Sequence, residues 1–316
     1  MSLLFIALAK LTVGMLFLIG GAELLTYHCI ALARHLGVRP IVIGLTVVAF
    51  GTSAPEFFVT MIANLQDRAD LAVGNIIGSN IANIGLILGV AAMIQPFSIP
   101  KRIARVELPF LVLSVILIGI AAWNGILSRP AALILILSFC LYLYFLMDKR
   151  SSYSLSSESV ADGNNGPPRY LFRLVMIVLS FGGLVLGSHL LIEGAASVAR
   201  FFHCPELIIG LSLTAIGTSL PELASTISAL RRNETGLVIG NVLGSNFANS
   251  CGILGFAALV KPLYINPHVL VTDFPAMAAF SLALIPIFRD GRISRLEGVM
   301  LFTAYFSYVT IIYLKM

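Results

Sequence analysis

The chain is a succession of long apolar runs separated by short polar gaps. The runs predict ten membrane-crossing helices, at roughly 3–27, 40–65, 71–94, 106–123, 130–147, 170–199, 206–230, 237–260, 268–288 and 295–314. Runs of this length exceed what a buried core helix needs and match the thickness of a bilayer. The second and seventh are not uniform. Each carries small polar residues and then a proline, so each is expected to be an interrupted helix. The first run, MSLLFIALAKLTVGMLFLIGGAELL, lacks a basic start and a clear small-residue cleavage site, and reads as a spanning helix rather than a signal peptide. The long polar stretch 148–169 is rich in Ser, Gly, Asn and Pro, which predicts a flexible cytoplasmic linker between an N-terminal half, 1–147, and a C-terminal half, 170–316.

The two halves repeat one pattern. IGLTVVAFGTSAPE at 43–56 returns as IGLSLTAIGTSLPE at 209–222, and GNIIGSNIAN at 74–83 returns as GNVLGSNFAN at 240–249. The offset is 166 throughout, and residues 43–96 share 25 identities in 54 positions with their counterparts, without an insertion. Five spans per half is an odd number, so two similar halves enter the membrane from opposite faces. The expected architecture is an all-α membrane protein of ten transmembrane helices, built as two inverted five-helix repeats with helices two and seven interrupted. Such repeats mark secondary transporters, whose sites lie where interrupted helices meet near the midplane.

Composition agrees. Hydrophobic residues make up 58% and charged residues 11%, where a soluble domain carries about a quarter charged. The net charge of +5 does not indicate a nucleic-acid partner, because Lys and Arg fall in short clusters between the runs. Fourteen of them lie on one side of the expected topology and five on the other, with Lys10 inside the first run. The positive-inside rule then places the basic side in the cytoplasm and both termini outside, in a multi-pass protein of the plasma (inner) membrane. The four cysteines show no CxxC pairing and read as packing residues.

The candidate chemistry is concentrated in the repeated phrases. Glu56 and Glu222 sit inside apolar sequence, and a carboxylate at bilayer depth costs about 2.5–3.5 kcal/mol on insertion scales. No Lys or Arg lies within spans two, three, seven or eight away from their ends, so cations or protons are the expected neutralising partners. Pro55 and Pro221 cannot donate to the carbonyls of Gly51 and Gly217, which are expected to be free for an ion. Thr52 and Ser53, repeated as Thr218 and Ser219, add hydroxyls one turn from each glutamate. Asn75, Ser79 and Asn83 are spaced by four and line one stripe, as do Asn241, Ser245 and Asn249. Ser79, Asn83, Ser245 and Asn249 are expected to face the ion. Asn75, Asn80, Asn241 and Asn246 are expected to bond between helices. Gly74, Gly78, Gly240 and Gly244 permit close helix approach.

These donors are oxygens, which suit hard cations such as Ca²⁺ and Na⁺ rather than Zn²⁺ or copper. Two carboxylates balance one divalent ion, two monovalent ions or two protons. Glu23, with His189 at the equivalent position, and Glu193 one turn further on are expected near an interface. Glu107 and Asp273 lie at helix starts, where the macrodipole favours anions. No HExxH pair, nucleophile with a matched base or GxxxxGK[ST] motif is present, so neither an enzyme nor an ATP-driven pump is expected. A passive channel would need no inverted pair of buried anionic sites. Exchange of Na⁺ for Ca²⁺ is the first reading, and a cation/proton (Ca²⁺/H⁺ or Na⁺/H⁺) antiporter is the alternative.

GTSxPE followed by GSNxxN, twice and inverted, resembles the calcium/cation antiporter superfamily, and within it the prokaryotic sodium/calcium exchangers and their potassium-dependent relatives. The likeness extends over essentially the whole chain, with alpha-repeat motifs at 43–89 and 209–255. It implies Na⁺-driven antiport that normally extrudes Ca²⁺, with Ca²⁺ and Na⁺ as transported substrates, no cofactor and a monomer in the lipid bilayer. It also implies four cation sites between spans two, three, seven and eight. By position their ligands are Glu56, Thr52, Ser53, Ser79 and Asn83, with Glu222, Thr218, Ser219, Ser245 and Asn249, and the backbone carbonyls of Ala49 and Ala215. The resemblance further implies that spans one and six slide over an eight-helix core. Some members carry an acid where this chain has Asn249, and that acid is linked to potassium coupling. With Asn at both 83 and 249, potassium dependence is not expected. The short linker has no room for a large regulatory domain.

Overall fold

The computed structural model describes residues 2–100, 103, 105–147, 167–202 and 217–315. In the first half, α1 (Ser2–Leu36) leads to a pair bent by 45°, α2 (Pro40–Thr52) and α3 (Ala54–Leu65). Then follow α4 (Ala69–Ile94), β1 (Phe97–Ser98), α5 (Glu107–Ala121), β2 (Ile126–Leu127) and α6 (Arg129–Met147). The second half contains α7 (Pro167–Phe201), α8 (Leu220–Arg231), α9 (Thr235–Val260), β3 (Leu263–Tyr264), α10 (Pro267–Val271), α11 (Asp273–Arg289), β4 (Arg292–Ile293) and α12 (Arg295–Lys315). The linker lies almost entirely outside the described residues, as do 203–216, the first part of the expected seventh span.

Six of these helices are long and apolar enough to cross a membrane, or seven when the bent pair counts as one span. Of the remaining expected spans, α5 has only 15 residues, α8 continues a stretch that is not described, and α12 falls outside that group. The helices sort into an inner and an outer set. α4 and α9 are 83% buried over their most apolar windows, whereas α1, α6, α7 and α11 are only 22–28% buried. The outer helices turn large apolar side chains outward, among them Phe5, Leu16, Leu137 and Val178. In lipid that surface is already solvated, so packing and polar contacts must hold the inner set together.

Local chemistry sets the breaks. Ser53 and Ser219 leave helical geometry (ψ 10° and 3°), and Pro55 and Pro221 sit in the first turns of α3 and α8, where a missing N–H costs least. Asp67 and Asn233, equivalent by the 166 offset, adopt positive φ (62° and 58°) in the turns into α4 and α9. Both are residue types that tolerate this conformation. Within α2, α4 and α9, wider π-helical turns run over Gly44–Val48, Asn83–Leu88 and Ala248–Ile253. At Gly240 a Cβ would lie 2.6 Å from the Ile41 carbonyl, and at Gly244 2.7 Å from Leu45 Cα, so these glycines let α9 rest on the backbone of α2. By the offset, the counterpart contact would bring Gly74 and Gly78 onto 207–215, outside the described residues.

The halves are tied crosswise. β1 pairs antiparallel with β4, and β2 with β3. Because β1 corresponds to β3 and β2 to β4, each pairing is the image of the other. The flanking bonds match too: Ile99 N–H donates to Gly291 O and Ile265 N–H to Gly125 O, both at 2.8 Å. The equivalent helices α1 and α7 run antiparallel. Lys10 Nζ meets Glu193 Oε2 at 2.7 Å, Gly14 packs on Gly187, and Arg173 donates to the Ala31 carbonyl at 2.9 Å. This last contact, with His35 stacked on Tyr170, carries α1 well past its expected end at residue 27.

Candidate cation site

Glu56 in the first turn of α3 and Glu222 in the first turn of α8 are both 1% exposed. The breaks at Ser53 and Ser219 place both within the inner set, near enough that Ser53, three residues before Glu56, donates to Glu222. Among the described residues neither pairs with a Lys or Arg; Lys10 pairs instead with Glu193, Arg232 with Glu23 and Lys261 with Asp67. Nor do the described residues hold a group of three or more His, Cys, Asp or Glu that could bind a metal. The donors gathered here are two carboxylates surrounded by hydroxyls and amides.

Part of the expected shell is brought together by hydrogen bonds. Ser79 on α4 donates to Glu56 Oε1 at 3.3 Å, and Ser53 donates across the halves to Glu222 Oε1 at 3.1 Å. Thr52 donates to the Val48 carbonyl at 3.0 Å, with Asn241 Oδ1 3.3 Å away. Thr52, Ser53, Ser79, Asn83, Thr218, Ser219, Ser245 and Asn249 are all buried. The second oxygens of both glutamates, Asn83 Oδ1, Ser219 Oγ, Ser245 Oγ and both amide atoms of Asn249 are buried with no hydrogen-bond partner. Thr218 Oγ1 is likewise buried with no hydrogen-bond partner. Buried polar atoms are normally satisfied, so the orphaned carboxylate oxygens, and the orphaned hydroxyls and amides of the same repeated phrases, are groups that a dehydrated cation would complete. The Ala49 carbonyl accepts the Ser53 N–H at 3.1 Å, with the Thr52 hydroxyl 3.5 Å away. Ala215 lies outside the described residues.

The asparagines expected to bond between helices do so. Asn75 donates to the Glu56 carbonyl at 3.2 Å and to Thr60 at 3.0 Å. Asn241 repeats this at the Glu222 carbonyl (3.3 Å) and Thr226 (3.1 Å), and adds Ser225. Each amide thus fixes the backbone beneath a glutamate. Asn83 donates to Asn246 Oδ1 at 2.9 Å, Asn246 to the Asn80 carbonyl at 3.2 Å, and Asn80 to Ser250 at 2.7 Å. This chain of amides joins α4 to α9.

One expectation is corrected. The Gly217 carbonyl released by Pro221 is not free: Ser188 on α7 donates to it at 2.5 Å. A hydroxyl on a neighbouring helix filled the vacancy, and spacing within the motif could not reveal it. Glu107 and Asp273 do start helices, but each is also bonded to a tyrosine, Tyr142 at 2.6 Å and Tyr308 at 2.8 Å. These pairs are equivalent by the same offset, and that equivalence was the one signal in the sequence that could have found them.

Comparison with known proteins decides the family. The model of the sodium/calcium exchanger protein family matches residues 6–147 and 172–314. The chain belongs to the sodium/calcium exchanger family. Among relatives, this exchanger-family chain is 34% identical to the inner membrane protein YrbG of Escherichia coli, over 98% of the chain and 97% of the relative. It is 32% identical to the sodium/calcium exchanger MaX1 of Methanosarcina acetivorans, over 96% and 97%. Among solved structures, the sodium-calcium exchanger NCX_Mj soaked with 10 mM Na⁺ and zero Ca²⁺ superposes with a TM-score of 0.85 at 30% identity, covering 97% of this chain and 99% of that one. The all-helical membrane architecture is therefore shared over 97% of this family member.

Proposed function

We propose that the protein is a secondary antiporter that exchanges Na⁺ for Ca²⁺ by alternating access and extrudes Ca²⁺ from the cytoplasm. The observation that carries this reading is a pair of buried carboxylates, each with one oxygen lacking a hydrogen-bond partner and neither in an ion pair with a Lys or Arg among the described residues. Two carboxylates with hydroxyl and amide oxygens can hold one Ca²⁺, or Na⁺ ions in its place, and that interchangeability is what exchange requires. The ligands in this reading are Glu56, Thr52, Ser53, Ser79, Asn83 and the Ala49 carbonyl, with Glu222, Thr218, Ser219, Ser245, Asn249 and the Ala215 carbonyl. Asparagine at both 83 and 249 makes the exchange independent of potassium.

The same reading has ten spans in two inverted five-helix repeats, 1–147 and 170–316, joined by a cytoplasmic linker at 148–169. Support comes from the antiparallel run of α1 against α7 and from the crosswise strand pairs. The excess of Lys and Arg on one side puts both termini outside a bacterial-type inner membrane. α1 and α7 form the moving element, and one chain is the working unit.

The test is uptake of radioactive Ca²⁺ by proteoliposomes loaded with Na⁺ and diluted into Na⁺-free buffer, beside an arm with a pH gradient alone. Uptake that requires internal Na⁺ and collapses when external Na⁺ matches it is expected. Uptake driven by the pH gradient alone would overturn the assignment and make the two glutamates proton carriers.

A further inference from the structure

The helices α1 and α7 are equivalent in sequence position but do not sit equivalently on the core. A Cβ at Gly51 would strike the Phe181 ring on α7, and a Cβ at Gly217 would strike Ile192, also on α7. The counterpart of Phe181 is Met15 on α1, and it does not come within 4 Å of a Cβ at Gly217. One helix of the pair therefore covers both kinks. The pair holds together as a unit, through Lys10–Glu193 and through the contact of Gly14 with Gly187, where a Cβ would lie 2.8 Å from the facing backbone. It is the unit as a whole that is off the axis relating the halves of the core.

Two polar contacts fix it there. Ser188 of α7 donates to the Gly217 carbonyl at 2.5 Å. Arg232, at the C-terminus of α8, pairs with Glu23 of α1 at 2.6 Å, and its guanidinium lies 5.8 Å from the centre of the Tyr27 ring. The 166 offset names what would have to replace them if the unit moved to the mirrored position. Ser188 corresponds to Ala22, Arg232 to Gln66 and Glu23 to His189. Alanine donates no hydrogen bond, and a glutamine facing a histidine is not an ion pair. His189 is moreover already engaged with Glu193, at 3.1 Å.

We propose that Ser188 and the Glu23–Arg232 pair form a polar latch that favours the observed position of the α1–α7 unit over its mirrored one, so that the site is unequally open to the two sides at rest. This rests on the alternating-access reading above. An exchanger built from two similar repeats would otherwise have two nearly equal resting states. The latch makes them unequal through residues that touch neither carboxylate.

The experiment uses the full-length protein reconstituted with known sidedness, and reads the ratio of half-saturating Ca²⁺ at the two faces during Na⁺-dependent exchange. Glu23→Gln and Arg232→Gln should each shift that ratio by about threefold, the scale of one partly exposed ion pair. The swap Glu23→Arg with Arg232→Glu should restore the wild-type ratio, and Ser188→Ala should shift it in the same direction as the single charge variants. Installing the missing mirror pair, Gln66→Arg with His189→Glu, should also move the ratio in that direction. An unchanged ratio in both single charge variants, or a swap that behaves like them, would overturn the latch. Hydrogen exchange at 217–223 in detergent reads it without transport: protection should fall in Ser188→Ala and in Glu23→Gln. Absence of Na⁺-driven uptake by the wild type would instead sink the functional reading, leaving the exchange measurement to judge the latch alone.

Discussion

Glu56 and Glu222 occupy equivalent places and are equally buried, but they are held from different directions. Glu56 takes its hydroxyl from Ser79, in its own half; Glu222 takes its hydroxyl from Ser53, in the other. Below Glu222 the Gly217 carbonyl is closed by Ser188, while the residue matching that serine by the offset is Ala22, which cannot donate. Among the described residues the breaks, turns and strand pairs keep the symmetry of the duplication, and the side chains around the two glutamates do not. A duplicated frame thus gives two anionic centres of the same kind in two different settings, which is useful to a protein that must meet its ions from two unlike solutions.

The largest expected effect is one that the two centres share. Glu56→Gln and Glu222→Gln should each reduce Na⁺-dependent Ca²⁺ uptake to the level of empty liposomes, with the variants still monodisperse in detergent. Normal uptake by either would break the pairing of the centres.

Removing the hydroxyls separates them. Ser53→Ala and Ser79→Ala should each weaken apparent Ca²⁺ affinity by about tenfold, since each removes a hydrogen bond to a charged group. Because Ser53 reaches across the halves, Ser53→Ala combined with Glu222→Asp should be non-additive in equilibrium Ca²⁺ binding. Ser79→Ala combined with Glu222→Asp, which share no direct contact, should depart less from additivity.

The amide brackets differ less. Asn241 is fully buried with three acceptors, whereas Asn75 is half-buried with two. Asn241→Ala should therefore lose about 1–2 kcal/mol in thermal stability in detergent, and Asn75→Ala less. A larger loss from Asn75→Ala would show that burial does not rank these brackets. Smallest is the tyrosine pair. Tyr142→Phe and Tyr308→Phe should each cost about 0.6 kcal/mol, typical of a polar contact between membrane helices. Calorimetry or a melt followed by size exclusion would resolve them.

Much of this was legible in the chain because the relevant signals are local and repeated. Apolar run length marked the outer helices, the GTSxPE phrase marked the breaks at Ser53 and Ser219, and spacing by four placed Ser79 and Asn83 together. What could not be read depends on contacts distant in sequence. The π-helical turns at Asn83–Leu88 and Ala248–Ile253 follow from how α4 and α9 meet their neighbours, and no residue type announces them. The Ser188 cap joins residues 29 apart on different helices. Nothing in the pattern of α1 and α7 could show that both kinks lie under α7, because position on a core is a tertiary property.

The crosswise strands have a consequence for how the molecule is made. β1 is synthesised early, and its partner β4 comes from close to the end of the chain. At 5–20 residues per second, roughly ten seconds or more separate the two strands at the ribosome. Throughout that interval β1 sits without its partner, although β2 gains β3 earlier. The final fastening of the first repeat must therefore wait until most of the second has been inserted, and a chain cut short before β4 would leave both halves unfinished.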